Sequence, residues 1–158
     1  MAMSELLTIL LIGYGNPLRG DDVVGQVVAG IVEAWEVPDV TVLARQQLTP
    51  ELADDIAQAD IVYFVDASID ESLEHPLIHD VEFSSDSEIR SHYSSPKELL
   101  KLTRELHGHE PRSYLIEVPA QCFELHEGIS AKARCGVEEV LEQLRHTLGK
   151  SQKPVMSY

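Results

Sequence analysis

Three residues in this 158-residue sequence have the types and placement to build a chemical centre together: Asp22, Asp66 and His92. Asp22 closes the stretch GYGNPLRGDD, residues 13–22, which follows an apolar run. Asp66 ends a second apolar run, IVYFVDA, and His92 stands in IRSHYSSP, directly before a strong helix start. Two carboxylates and one imidazole suit a borderline divalent ion and leave positions open to water or substrate. The glycine loop argues the same way. Gly15 and Gly20 have the spacing of a phosphate-binding loop, but Asp21 and Asp22 stand where that loop needs a lysine and a hydroxyl. Leu18 occupies the place of the third glycine of a dinucleotide fingerprint. Carboxylates there repel phosphate and attract a cation. Each residue also has a plainer use: Asp66 as a turn or cap residue, Asp21 as an N-cap, His92 as an exposed loop side chain.

These side chains need elements to hold them. LLTILLIGYG is too short for a buried helix and ends in glycines, which predicts a central strand over about 6–12. Val24, Val28, Ile31 and Trp35 then share one helical face, widened by Val23, Val27 and Val32, with Asp21 or Asp22 as its cap and Pro38 past its end. VTVLARQ reads as a second strand, Thr49-Pro50-Glu51 as the start of a second helix, and IVYFVDA as a third strand covered on both faces. LIHDVEF reads as a strand and SSDSEIRSHYSS as a polar surface loop. Ser95, Pro96 and Glu98 open a helix with a capping box, whose apolar side is Leu99, Leu100, Leu102 and Leu106. SYLIEV is a further strand, and a last helix over 131–148 turns Val137, Val140, Leu141, Leu144 and Leu148 inward before a frayed tail, 148–158. Alternating buried strands and amphipathic helices predict a layered α/β domain, one domain over 1–158, with a mostly parallel sheet. In such sheets ligands bind beyond the carboxyl ends of the strands, where Asp22 and Asp66 fall.

Composition excludes whole classes of function. A formal net charge of -15 disfavours nucleic acid and anionic membrane surfaces as partners. No run of about 18 apolar residues is present, and the expected location is the cytoplasm. Cys122 and Cys135 form no C-x-x-C pair and are expected to be buried, inert thiols. There is no H-E-x-x-H and no G-x-S-x-G, and Cys122 with His126 has no visible activating group for cysteine-protease chemistry.

The stretch GYGNPLRGDDVVG, followed by QQLTPELADDIAQADIVYFVDA and SHYSSPKELL, resembles the [NiFe]-hydrogenase maturation endopeptidases, whose first strand leads into G-x-G-N-x-L-x-x-D-[DE]-x-x-G. The likeness covers about three quarters of the chain and most resembles the branch serving bidirectional, cyanobacterial-type hydrogenases. It implies a three-layer αβα fold, with a twisted sheet between helices. It also implies removal of a C-terminal peptide from the hydrogenase large-subunit precursor after nickel insertion. The metal-contacting positions of the family fall on Asp22, Asp66 and His92, while Asp21 matches the preceding acidic position and is expected to cap. On this reading nickel arrives with the precursor, no organic cofactor is needed, and one aspartate takes the proton of the attacking water. The rival function for the same three residues is a non-catalytic nickel and large-subunit assembly chaperone. One departure is Val23, where many family members have glycine. A valine resists positive φ, so the exit of the loop into the helix is expected to differ.

Overall fold

The computed structural model describes residues 7–81, 95–125 and 128–151. Strand β1 (Ile9–Tyr14) is buried along its whole length, as a central strand with helices over both faces must be. A 3-10 turn (Gly20–Val23) leads from it into α1 (Val24–Ala34), which returns the chain to β2 (Val40–Arg45). Helix α2 (Leu52–Ala57) crosses to β3 (Ile61–Ala67), followed by β4 (Leu77–Asp80), α3 (Pro96–His107), β5 (Arg112–Val118) and α4 (Ala131–Ser151). The sheet order is β2-β1-β3-β5-β4, parallel except for β4, which runs antiparallel to β5 at one edge.

Two apolar layers hold the helices to the sheet. On one face Ile9, Leu11, Val65 and Val118 pack with Val24, Val28 and Val32 of α1 and Val137, Val140 and Leu144 of α4. On the other, Leu10, Ile12, Val62 and Phe64 pack with Leu52 and Ile56 of α2 and Leu99 and Leu100 of α3. Each fully buried aliphatic side chain contributes about 1.5–3 kcal/mol. The architecture is therefore the expected three-layer α/β sandwich with a mostly parallel sheet.

β1 lies between β2 and β3, and the helices after β1 and β2 cover opposite faces. That reversal opens a crevice at the carboxyl ends of β1 and β3, the ligand position of open α/β sheets. α3 is joined to β5 by residues 108–111 and so runs opposite to the parallel strands, which places Ser95 toward the same end. Ser95 caps α3 as expected, its Oγ accepting the Glu98 N–H at 3.3 Å with Pro96 in the first turn.

Several local expectations are corrected. The buried face of α1 is Val24, Gly25, Val28, Ala29 and Val32, with Ile31 turned outward, because Gly25 and Ala29 bring the helix close to the sheet along their own side. Leu106 is exposed near the end of α3, and Thr103 is buried instead, its hydroxyl donating to the Leu99 carbonyl at 2.8 Å. Residues 49–51 form turns rather than the first turn of α2. Neither thiol is buried: Cys122 is half-buried and Cys135 exposed. Val23 has φ -76°, an ordinary right-handed value, so the exit into α1 asks for no positive φ and valine sits there without strain. Among the described residues no helix is long and apolar enough to cross a membrane.

Candidate functional site

The strand register builds the floor of the site. Tyr14 of β1 lies opposite Arg45 of β2, Gly13 lies opposite Val65 of β3, and Asp66 lies opposite Glu117 of β5. Carrying the β1–β3 register one step further sets Tyr14 beside Asp66. Arg45, Tyr14, Asp66 and Glu117 thus form one row across the carboxyl ends of four-fifths of the sheet, on the face covered by α2 and α3. Side chains alternate along a strand, so Asp66 shares the side of Val62 and Phe64 while Val65 and Ala67 face α1 and α4.

Asp66 is half-buried, and its Oδ1 accepts the Ala67 N–H at 2.8 Å. The Tyr14 hydroxyl donates to the same carboxylate. Burial pushes the Asp66 carboxyl up to about 6, with repulsion from the Asp22 and Glu117 carboxylates acting in the same direction and the Ala67 amide and Tyr14 hydroxyl opposing it. Tyr14 is itself pushed far above the ordinary phenol value, by burial first and by Asp66 next, and so remains a proton donor in hydrogen bonding throughout the physiological range. Glu117 is tied to the other side, its Oε2 lying 3.2 Å from His79 Nε2.

Asp22 reaches the crevice from the loop after β1. Its Oδ2 accepts the Asn16 N–H at 2.7 Å, while Asn16 Oδ1 accepts the Leu18 N–H at 2.9 Å and Gln26 Nε2 donates to the Gly15 carbonyl at 2.6 Å. The loop is thereby folded back on the 3-10 turn. Gly15, at φ +150°, is required there: a Cβ would stand 1.7 Å from the Asp22 carbonyl oxygen.

Asp21 does not cap α1. Val23 holds the N-cap position with no side-chain hydrogen bond, and Asp21 turns the other way, fully buried. It accepts N–H groups from Gln121 at 2.7 Å, Cys122 at 3.0 Å and Ser130 at 2.6 Å, and the Ser130 hydroxyl at 2.7 Å. The adjacent acids of GDD therefore divide their work: Asp21 fastens a distant loop and Asp22 faces the crevice.

The fold brings Asp22 and Asp66 to one end of the sheet, close enough for the charge of one to raise the pKa of the other. His92 lies outside the described residues, and among the described residues no group of three or more His, Cys, Asp and Glu side chains is arranged to hold a metal ion. Each of the two carboxylates spends one oxygen on a backbone amide and keeps further lone pairs, a donor set that fits a divalent cation completed by ligands from elsewhere. Tyr14 and Glu117 escaped the sequence reading. Their signal was positional: each sits near the end of an apolar strand, and both join Asp66 once the register is known.

No protein-family model and no curated protein matches the sequence. Solved structures do match. A [NiFe] hydrogenase maturation protease, HycI, from Thermococcus kodakarensis KOD1 superposes with a TM-score of 0.73 at 25% identity, over 92% of this chain and 94% of that one. The hydrogenase maturating endopeptidase HybD from E. coli gives a TM-score of 0.75 at 24% identity over the same shares, 92% and 94%. The solution structure of an endopeptidase from Escherichia coli gives 0.71 at 25% identity, again over 92% and 94%. The chain therefore has the fold of the [NiFe]-hydrogenase maturation proteases and is similar to them over 92% of its length.

Proposed function

We propose that this protein is an endopeptidase of hydrogenase maturation, which removes the C-terminal peptide of a [NiFe]-hydrogenase large-subunit precursor once nickel has been inserted. Asp22, Asp66 and His92 contact the nickel that the precursor carries, so the substrate brings the ion that completes the site. The observation that carries this reading is the convergence of Asp22 and Asp66 on one carboxyl-end crevice, in a fold shared with maturation proteases. His92 stands three residues before Ser95, whose helix opens toward that end. A precursor without nickel would lack the ligand that bridges these residues and would escape cleavage. Burial holds the proton affinity of Asp66 near neutrality, the property wanted in a group that takes up and returns a proton.

The test is intact-mass spectrometry of the cognate large-subunit precursor, nickel-loaded and nickel-free, before and after incubation with this protein. Loss of one C-terminal peptide from the loaded form alone is expected, and Asp22→Asn, Asp66→Asn and His92→Ala should each abolish it. An unchanged mass, with the precursor bound in a nickel-dependent way, would replace the protease with an assembly chaperone. Normal cleavage by folded Asp66→Asn or His92→Ala would remove those residues from the site.

A further inference from the structure

The loops that follow β1, β3 and β5, three neighbouring strands, each expose one large aliphatic side chain at the end of the sheet that holds Asp22 and Asp66. Leu18 is 56% exposed, Ile69 88% and Leu125 85%. A single exposed aliphatic residue is ordinary on a protein surface. Three on successive loops around one crevice are a different matter, because each loop is held in place. The segment carrying Leu125 lies along the loop carrying Leu18: Arg19 Nε donates to the Phe123 carbonyl at 3.3 Å and the Asp21 N–H to the Cys122 carbonyl at 2.7 Å. Ile69 follows Ser68, whose N–H donates to the Val118 carbonyl at 2.8 Å. Asp70, on the other side of Ile69, accepts the Ser72 N–H at 3.0 Å and the Ser72 hydroxyl at 2.6 Å. Hydrogen bonds thus tie the backbone beside Leu18 and Ile69, and tie the segment leading to Leu125 to the loop that carries Leu18.

We propose that Leu18, Ile69 and Leu125 form a docking rim for a partner protein segment that is apolar and flanked by basic residues. Charge decides the second half of that description. Asp22, Asp66, Asp70, Glu71 and Glu124 lie at the same end, and the protein as a whole carries a net charge of -15. Among the described cations at that end, Arg19 donates to the Phe123 carbonyl, Lys132 to the Glu71 carbonyl at 2.8 Å and Arg45 to the Ala44 carbonyl at 2.9 Å. An acidic segment would be repelled, and a basic one drawn in with a strength that falls as salt rises. The inference rests on the proposed function, since it names the surface by which the large-subunit precursor is held while its cleavage site reaches Asp22 and Asp66.

The experiment measures affinity and turnover separately, with the nickel-loaded precursor as probe. The triple variant Leu18→Ser, Ile69→Ser, Leu125→Ser changes only exposed side chains and should fold. Its affinity for the precursor should fall at least tenfold, with a matching rise in KM and little change in kcat. Leu106→Ser, an equally solvated change near the far end of α3 at 63% exposure, should leave both values alone. Raising the salt concentration from 50 to 500 mM should weaken wild-type binding. Equal binding by the triple variant and the wild type overturns the rim, whether or not the precursor is cleaved. Binding without cleavage, lost in the triple variant, keeps the rim and overturns the protease. A wild-type protein that neither binds nor cleaves the precursor overturns both.

Discussion

Asp21 holds Ser130 by two hydrogen bonds, from the backbone N–H at 2.6 Å and from the hydroxyl at 2.7 Å, across 109 residues of sequence. Ser130 in turn accepts the Ala133 N–H at 3.1 Å on its Oγ, so the cap of α4 is oriented by a carboxylate from the loop after β1. The residue next to Asp21 is Asp22. One dipeptide thus connects the crevice to the start of α4, and the precision of the site depends on an anchor that takes no part in its chemistry.

Removing that anchor should be costly. Asp21→Ala leaves the Gln121, Cys122 and Ser130 amides without their acceptor, and a loss of about 3–5 kcal/mol is expected in denaturant unfolding. The half-buried Cys122 sits inside the clamp, so its reaction with a thiol reagent should accelerate in the variant while the exposed Cys135 reacts as before. Burial pushes the Asp21 carboxyl up, but the hydrogen bonds from Ser130, Gln121 and Cys122 outweigh it and hold the group below the usual carboxylate range. A depressed pKa gives stability that is present above the unfolded value, about 4, and lost as pH falls through the folded one. The wild type should therefore lose stability below about pH 4 more steeply than Asp21→Asn.

Asp66 works in the opposite direction. Its folded pKa is raised to about 6 from an ordinary 3.8, so the native state takes up a proton before the unfolded chain does. Stability then rises as pH falls from about 7 toward 4, and at neutral pH the ionised carboxylate costs on the order of 3 kcal/mol. Asp66→Asn should melt higher than the wild type at pH 7.5, and the two should converge near pH 4. Thermal melts across that range check the sign. A variant that is more stable and inactive would mark Asp66 as a residue kept for function against stability.

The elements at this end of the molecule were legible because their signals are local. The apolar runs over about 6–12 and over IVYFVDA marked β1 and β3, though β1 lies a little further along at Ile9–Tyr14, and Ser95 with Pro96 and Glu98 announced α3. The assignment of Asp66 to a strand end needed nothing beyond its own neighbourhood. What stayed hidden depends on distant segments. The four hydrogen bonds that claim Asp21 come from residues at least 100 positions away, and a local reading could only make it a cap. Glu117 joins Asp66 through the β3–β5 register, and the antiparallel run of β4 is likewise a tertiary choice. Leu106 fits the helical stripe of α3, yet it stands in the last turn of the helix and is left in water. His92 falls outside the described residues, so the third member of the set rests on its sequence context.

Tyr14→Phe separates a structural ring from a functional hydroxyl. The ring packs with Ile12, Phe64 and the neighbouring residues of the α2 and α3 layer, and phenylalanine preserves that packing. The hydroxyl favours the ionised form of Asp66, so its loss should move the Asp66 titration above about 6. Carbon-13 NMR of the Asp66 carboxyl measures this directly. Overall stability should change by no more than about 1 kcal/mol, the net worth of one hydrogen bond.

Two glycines of α1 should respond to alanine with opposite signs. A Cβ on Gly25 would stand 2.3 Å from the Val65 carbonyl oxygen and 2.5 Å from that of Tyr14, both backbone atoms of the central strands. The helix can accommodate it only by backing away from β1 and β3, which disturbs the 3-10 turn that carries Asp22. Gly25→Ala should destabilise the protein by about 3 kcal/mol or more and impair processing through Asp22. Gly30, in the same helix, meets nothing within 4 Å of its would-be Cβ and has no positive φ to lose. Gly30→Ala should stabilise the fold by about 0.5–1 kcal/mol, through helix propensity and a less flexible unfolded chain, with processing unchanged. Chemical denaturation of both variants, beside the precursor assay, separates a glycine required by close contact from one that α1 merely tolerates. Equal losses of stability in the two would show that the approach of α1 to the sheet at Gly25 is not what positions Asp22.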